Sequence, residues 1–368
     1  MNKKNWPLSL LFQPFKKSPN PSDSLANQYR HHVGTRMLFL TLLAVSIVVA
    51  LLYDLSTGPS SLSYVDLIKG VLSPNSLPMS QQVIIWDIRL PYALMAILVG
   101  ASLGLAGAEM QTALNNPLAS PFTLGVGSAA TFGASLAIVF DFSDYGINQT
   151  YLLPIFAFSL ACLTSLIILG VANSLGGSIQ SVLLFGIALM FGLNAMVGVI
   201  QFIAEEGELQ QIVFWTMGSL ARADLEKAAI VSLVLLFCFV ISLRHSWSMT
   251  ILRSGEEQAQ SMGINVKRLR LTTLIRVSLV TAVALAFVGE IGFIGLVAPH
   301  IARMIIGESH RFFIIASTLC GALLLSLASI VSKGFIPGLV LPIGMVTALV
   351  GIPFFIALIY QHQKRNPI

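Results

Sequence analysis

Charge is scarce in this chain: Lys, Arg, Asp and Glu together supply 10 % of its 368 residues, while 55 % are apolar. A soluble protein of this length needs roughly a quarter of its residues charged to cover its surface, so an ordinary soluble enzyme is excluded. Cysteine is nearly absent. Cys162, Cys238 and Cys320 all sit inside apolar stretches without metal-ligand spacing, which reads as small buried hydrophobes and gives no disulfide framework. Catalytic signatures are missing as well. The sequence holds no phosphate-binding glycine loop, His-Glu-x-x-His, paired-cysteine zinc spacing or nucleophile elbow, and its six histidines fall mostly in turns or flanks. The net charge of +5 does not point to nucleic acid, because the basic residues gather between apolar runs rather than on one motif.

What fills the chain is hydrophobic runs. The first 36 residues are polar and proline-rich and carry Lys3, Lys4, Lys16, Lys17, Arg30 and Arg36. The run 37–53 comes next with no small-residue cleavage site before Asp54, which reads as an uncleaved first span behind a cytosolic leader. Further runs lie at about 92–113, 122–140, 152–172, 182–204, 228–246, 272–290, 291–307, 312–333 and 341–360. Most approach the roughly 17 to 25 residues that cross a bilayer as helix, and lipid offers no partner to an open strand edge. The expectation is an all-α polytopic membrane protein with about ten transmembrane helices in a compact bundle. Around 272–307 one long helix, a re-entrant turn or two spans could use the same residues, and the glycines and proline of GEIGFIGLVAP favour a turn.

Ten spans behind a cytosolic leader put sixteen of the 21 basic residues on the cytoplasmic side, with Arg276 and Arg303 among them. Lys69, Arg89, Arg222, Lys227 and Lys333 are then left outside with most of the acids. This is the positive-inside distribution and places both termini in the cytosol. The expected organisation is a leader over 1–36, one permease domain over 37–360 and a cytosolic tail over 361–368.

Several stretches do not suit a plain bundle. Gly, Ala and Ser recur at three- and four-residue intervals in GASLGLAGAEM and GVGSAATFGAS, which lets helix backbones approach closely. Asn115, Asn116 and Pro117 open NNPLASPF, an uncharged interruption that reads either as a gate or helix junction or as a structural turn. Glu109 and Gln111 lie inside the second run, and a membrane carboxylate costs roughly 2.5 to 3.5 kcal/mol on insertion scales. Neighbouring runs offer no evident array of ionisable partners, so a polar pathway, a proton relay and a structural glutamate all stay open for Glu109. Glu290, near an interface, is expected to cap or pair. The segment 205–227 mixes acids with IVFW, predicting an interfacial helix with Trp215 as its anchor. Within 247–271, acids at Glu256 and Glu257 and the stop at Gly263 predict a short helix over 255–263 between two spans. Its less polar face, with Ala259 and Met262, is suited to press on a soluble partner.

Four stretches together resemble one family, the permease subunits of bacterial ATP-driven importers for ferric siderophores, haem and cobalamin. They are IRLPYALMAILVGASLGLAGAEMQTALNNPLASPF from Ile88, WTMGSL from Trp215, GEEQAQSMGI from Gly255, and GEIGFIGLVAPHIARMIIGESHR from Gly289 followed by LPIGMVTALVGIPFF from Leu341. The resemblance covers about 37–360, in order and spacing.

It implies a type II ABC importer permease fold in the bacterial inner membrane. Two permeases, identical or related, would stand over two cytosolic ATPases and under a periplasmic binding protein that delivers an iron chelate. ATP and Mg would belong to the ATPases, and this chain would bind no cofactor or metal and catalyse nothing. Coupling helices near 250–271 carry the ATPase contact over to Gly255, Glu256, Glu257, Ala259, Met262 and Gly263. Binding-protein docking carries over to Arg89 and Lys333. Here the sequence departs from the pattern: Tyr92 and Lys333 stand where arginines are expected, Ser329 replaces an aspartate and Val340 a glutamate. Lysine keeps the charge but not the bidentate fork, which fits a heteromeric pair. Cobalamin or haem import shares this mechanism. A proton-coupled secondary carrier and a receptor-like membrane protein are the alternatives of other classes.

Overall fold

A computed structural model describes residues 25–58, 63–73, 77–140, 149–174, 179–336 and 338–365. Each of the ten apolar runs carries a helix. In chain order the helices are α1 (Leu25–Ser56), α2 (Tyr64–Leu72), α3 (Met79–Ala113), α4 (Val126–Val139), α5 (Gln149–Ser174), α6 (Ile179–Ile203) and α7 (Glu206–Thr216). They continue with α8 (Leu225–Arg253), α9 (Glu256–Ser261), α10 (Val266–Val288), α11 (Ile294–Ile306), α12 (His310–Gly334) and α13 (Ile343–Arg365). Seven are long and apolar enough to cross a membrane; α4, α11 and the apolar part of α13 are shorter.

The leader and the first span are not separated by a break at residue 36. Residues 1–24 lie outside the described residues, but α1 begins at Leu25, so the last twelve residues of the leader are its first turns. The last proline of the leader is Pro21, and residues 22–36 contain no further proline to interrupt a helix. At the other end α13 runs through the predicted tail to Arg365, and 366–368 lie outside the described residues.

α3 is the axis of the bundle. Its most apolar window is 78 % buried, against 28 % for α1 and 22 % for α6 and α8. Helices α1, α8, α10, α11 and α12 all pack against it. The small-residue stripe makes this possible: a Cβ on Gly100 or Gly104 would run into the Gly321 or Ser317 carbonyl of α12, and one on Gly107 into Gly295 of α11. Near its start α3 widens into a π turn over Ile84–Arg89, just before Pro91. Proline has no N–H to give the preceding turn, and a wider turn accommodates that loss.

GEIGF is the turn that its glycines suggested. α10 stops at Gly289 (φ 81), residues 289–293 run without helix, and α11 starts after Phe293 (φ 66). With 13 residues α11 is about 20 Å long, short of a hydrocarbon core of roughly 30 Å. Gly295 lies against the Leu103 carbonyl, in the middle of α3. Gly289 and Ile291 of the non-helical stretch are buried and its other residues half-buried, as irregular backbone at membrane depth requires cover by protein.

Candidate functional site

The connection between α8 and α10 builds one face of the bundle. Gly255 (φ 132) and Gly263 (φ 79) stand on either side of α9, both in backbone that favours glycine. The helix is shorter than the predicted 255–263, since both glycines flank it. Its two less polar residues also separate. Ala259 is fully buried with Met249, Leu252, Val266, Leu269 and Ala113, whereas Met262 is exposed. Glu256 and Glu257 are exposed in the first turn, and Glu256 forms an ion pair with Arg270 of α10. Arg270 also donates from Nε to the Ala113 carbonyl at the end of α3, at 2.9 Å.

Deeper in the bundle Glu109 has a partner that the sequence reading left out. Arg276 donates from Nη2 to Glu109 Oε1 at 2.7 Å and from Nε to Oε2 at 3.3 Å, and both residues are buried. Thr273 Oγ1 accepts from the same guanidinium at 3.1 Å. Arg276, assigned above to the cytoplasmic charges, is thus a buried residue within α10, a helix long and apolar enough to cross a membrane. The signal was present: Arg276 lies inside its apolar run, four residues from one end, as Glu109 lies four residues from the end of its own. Gln111 accepts from Arg303 Nη2 at 3.0 Å and reaches the Leu296 carbonyl at 3.4 Å. Thr112 Oγ1 is 3.4 Å from His310 Nδ1. Successive polar residues at the foot of α3 therefore bind α10, α11 and α12 in turn.

The NNP segment satisfies itself locally. Asn115 (φ 41) and Pro117 are exposed, Asn116 Oδ1 accepts from Leu118 N at 2.9 Å, and Ser120 and Thr123 exchange hydrogen bonds. Beyond it the chain enters α4 through Gly125 (φ 78).

The motifs that are far apart in sequence meet at Glu290. Its carboxylate accepts from Thr131 Oγ1 at 3.2 Å and lies against Gly127 of α4. Its carbonyl lies against Gly218 and Gly344, and Gly289 packs on the Trp215 carbonyl. Two backbone bonds close the junction, Ser219 N to Val288 O at 2.7 Å and Ile343 N to Gly218 O at 3.0 Å. WTMGSL, GEIGF and LPIGM are thus one junction, and glycine stands where backbones touch.

Trp215 is not an interface anchor. It is 1 % exposed, in the main apolar cluster, with the Arg222 guanidinium 6.0 Å from its ring. The turn at Gly218 (φ 68) folds the end of α7 onto Gly289, and Leu209 and Phe214 are the exposed apolar residues of that helix. Just beyond, Asp224 caps α8. Partial burial works against its charge, but the Lys227 side chain at 2.7 Å and the Lys227 amide hold the carboxyl below its ordinary range.

At the far end of α1, Arg89 and Lys333 both turn inward. Arg89 donates to the Leu55 carbonyl at 2.8 Å. Lys333 pairs with Asp54 at 2.6 Å, donates to the Asp54 carbonyl at 2.8 Å and lies 4.8 Å from the centre of the Tyr92 ring. Ser329 donates to the same carboxylate at 2.9 Å. The acid missing at position 329 is supplied from α1 by Asp54.

Residues 45–361 match the model of the FecCD transport family. The chain is 38 % identical to an iron chelatin transport system permease protein of Helicobacter pylori, over 77 % of this chain and 84 % of that one. It is 35 % identical to the hemin transport system permease protein of Yersinia pestis, over 77 % and 85 %. Its fold is similar to a solved metal-chelate type ABC transporter in an inward-facing conformation, with TM-score 0.77 and 30 % identity over 88 % of this chain and 99 % of that one. With the family model matched over most of its length and a multi-span fold like that of the solved transporter, the chain is a membrane permease and belongs to the FecCD transport family.

Proposed function

We propose that this permease carries a ferric siderophore handed over by a periplasmic binding protein, driven by two cytosolic ATPase subunits seated beneath a pair of permeases. The face with α9 is the cytosolic one, in keeping with the basic residues that flank it. The membrane is then the bacterial inner membrane, with both termini in the cytosol. The single observation that carries the coupling role is the division of α9 into two sides. Glu257 and Met262 are exposed for a partner, while Ala259 is packed against the end of α3. A push on the outer side passes into the central helix. ATP binding would close the nucleotide dimer below, and the displacement would change access along the path between the permeases. Glu109, Gln111, Asn115, Asn116 and Pro117 lie at the foot of that central helix and are the gate candidates. Exposed apolar residues on α13, among them Leu349, Val350 and Ile356, are available to lipid or to the second permease.

The iron chelate is favoured by the chelatin permease relative, and haem is the second reading, favoured by the hemin relative. Cobalamin import would use the same mechanism. Affinity purification of the tagged chain in mild detergent, with intact-assembly mass spectrometry, tests the assembly. Two permeases with two ATPases are expected, and one or two permease masses distinguish identical from related partners. Charge reversal Glu257→Lys should weaken ATPase co-purification while membrane insertion is unchanged. A homogeneous assembly without ATPase would turn the reading to a secondary carrier.

A further inference from the structure

Arg270 joins three helices through one side chain. It lies in the second turn of α10, and its Nη2 forms the ion pair with Glu256 in the first turn of α9. Its Nε donates at 2.9 Å to the carbonyl of Ala113, the last residue of α3. The guanidinium is mostly buried, and its planar fork presents donors on two edges at once, which the single ammonium of lysine does not. Ala113 is a terminal carbonyl without a partner in its own helix, so a cation there completes the C-terminus of α3.

α9 has six residues and cannot hold its place by its own helical hydrogen bonds. Its attachment to the bundle is the buried methyl of Ala259 and the Glu256 to Arg270 pair. Met262 and Glu257 face away from that attachment. Immediately after Ala113 comes the turn 114–125, which leads into α4 and the Glu290 junction. Among the charged groups at the same end, Arg253 is occupied by Glu308, and Arg276 by Glu109 one turn further up α3.

We propose that Arg270 is the positioning residue that makes α9 and the foot of α3 move as one body, so that displacement of α9 reaches the 114–125 turn instead of being lost in the α8–α10 connection. This rests on the reading of α9 as the ATPase contact. Arg270 itself touches neither nucleotide nor substrate in this scheme.

The test uses the full complex with its ATPase subunits in nanodiscs, with Cys162, Cys238 and Cys320 replaced by alanine. Spin labels are placed through Gln260→Cys on α9, Leu118→Cys in the turn after α3, and Phe202→Cys at the far end of α6, all at exposed positions. Distances are read by double electron–electron resonance with and without ATP and vanadate. With Arg270 present, trapping should change the 260-to-202 distance while the 260-to-118 distance stays fixed. In Arg270→Ala the 260-to-118 distance should change with trapping, by about 2 Å or more, the upper end of ordinary helix shifts in switching proteins. Arg270→Lys should behave as Arg270→Ala. A residue that only supported folding would alter yield and leave this nucleotide dependence alone. If Arg270→Ala does not assemble, Glu256→Ala removes the acceptor and breaks the other half of the tie, and it is read in the same way. A 260-to-118 distance that stays fixed in the assembled variant overturns the proposal. Failure of the coupling reading looks different: trapping then leaves the 260-to-202 distance unmoved even with Arg270 present, and both fall.

Discussion

Arg276 and Glu109 form a two-point ion pair across 167 residues of sequence, with 2.7 Å between Nη2 and Oε1. The pair joins α10 to the foot of α3, and Glu109 is 1 % exposed. A charge alone in this position would be costly, and two charges in register neutralise that cost without adding much beyond it. Such a pair fixes how two helices sit more than it adds to stability.

The prediction is a marked non-additivity. Glu109→Met strands the guanidinium and should lower stability in detergent by about 3 to 5 kcal/mol, the range for breaking a buried pair. Arg276→Met should cost a comparable amount. The double variant Glu109→Met with Arg276→Met should recover most of the loss, because no charge then remains buried. Unfolding midpoints of the four proteins check it. Additive losses would mean that the two side chains are stabilised separately.

The glycine junction gives a prediction with an internal control. At Gly344 an added methyl would meet the Met217 and Glu290 carbonyls, and at Gly289 the Trp215 carbonyl together with a positive φ. Backbone cannot retreat as a flexible side chain does, so Gly344→Ala and Gly289→Ala should each cost about 1 to 3 kcal/mol. Gly192 lies within α6 and has nothing within 4 Å of an added Cβ. Gly192→Ala should therefore be neutral or stabilise by up to roughly 1 kcal/mol. Thermal unfolding of the three variants decides, and equal losses at all three sites would remove the junction as the cause.

The sequence announced its helices because the requirement for internal hydrogen bonding in lipid leaves few options. Each apolar run became a helix, and GEIGF became a turn because Gly289 adopts a conformation that other residues resist. The partners of polar residues were harder to read. Glu109 reads as isolated when Arg276 is placed with a loop, although both lie four residues inside their runs. Position alone leaves Lys333 on the outer side, and nothing local marks Asp54, at the end of the first run, as its acid. The meeting of Gly127, Gly218, Glu290 and Gly344 was not legible. It depends on how deep the segments 114–125 and 289–293 reach into the bundle, and no local pattern encodes depth. Trp215 illustrates the same point: its composition suited an interface, but the turn at Gly218 sets its direction.

The far end of α1 carries the last prediction. α1 packs on the axis yet is largely exposed, and its C-terminal carbonyls are held by two cations from other helices. Arg89 takes Leu55 O, and Lys333 takes Asp54 through both carboxylate and carbonyl. Cations are favoured at a helix C-terminus, and here they also neutralise a carboxylate that is fully buried. If this clamp is their main role, Lys333→Met should expose the end of α1, and amide exchange over residues 52–58 should accelerate by tenfold or more, corresponding to about 1.4 kcal/mol. The pair of changes Asp54→Ala with Lys333→Met should exchange more slowly than Lys333→Met alone, since it leaves no buried charge. For Arg89→Ala the same exchange should rise, while the salt dependence of binding-protein docking keeps its slope. A direct ionic contact with the binding protein predicts the reverse: a shallower salt slope with exchange over 52–58 unchanged. The two measurements on one variant therefore separate a cation that clamps α1 from one that receives a partner.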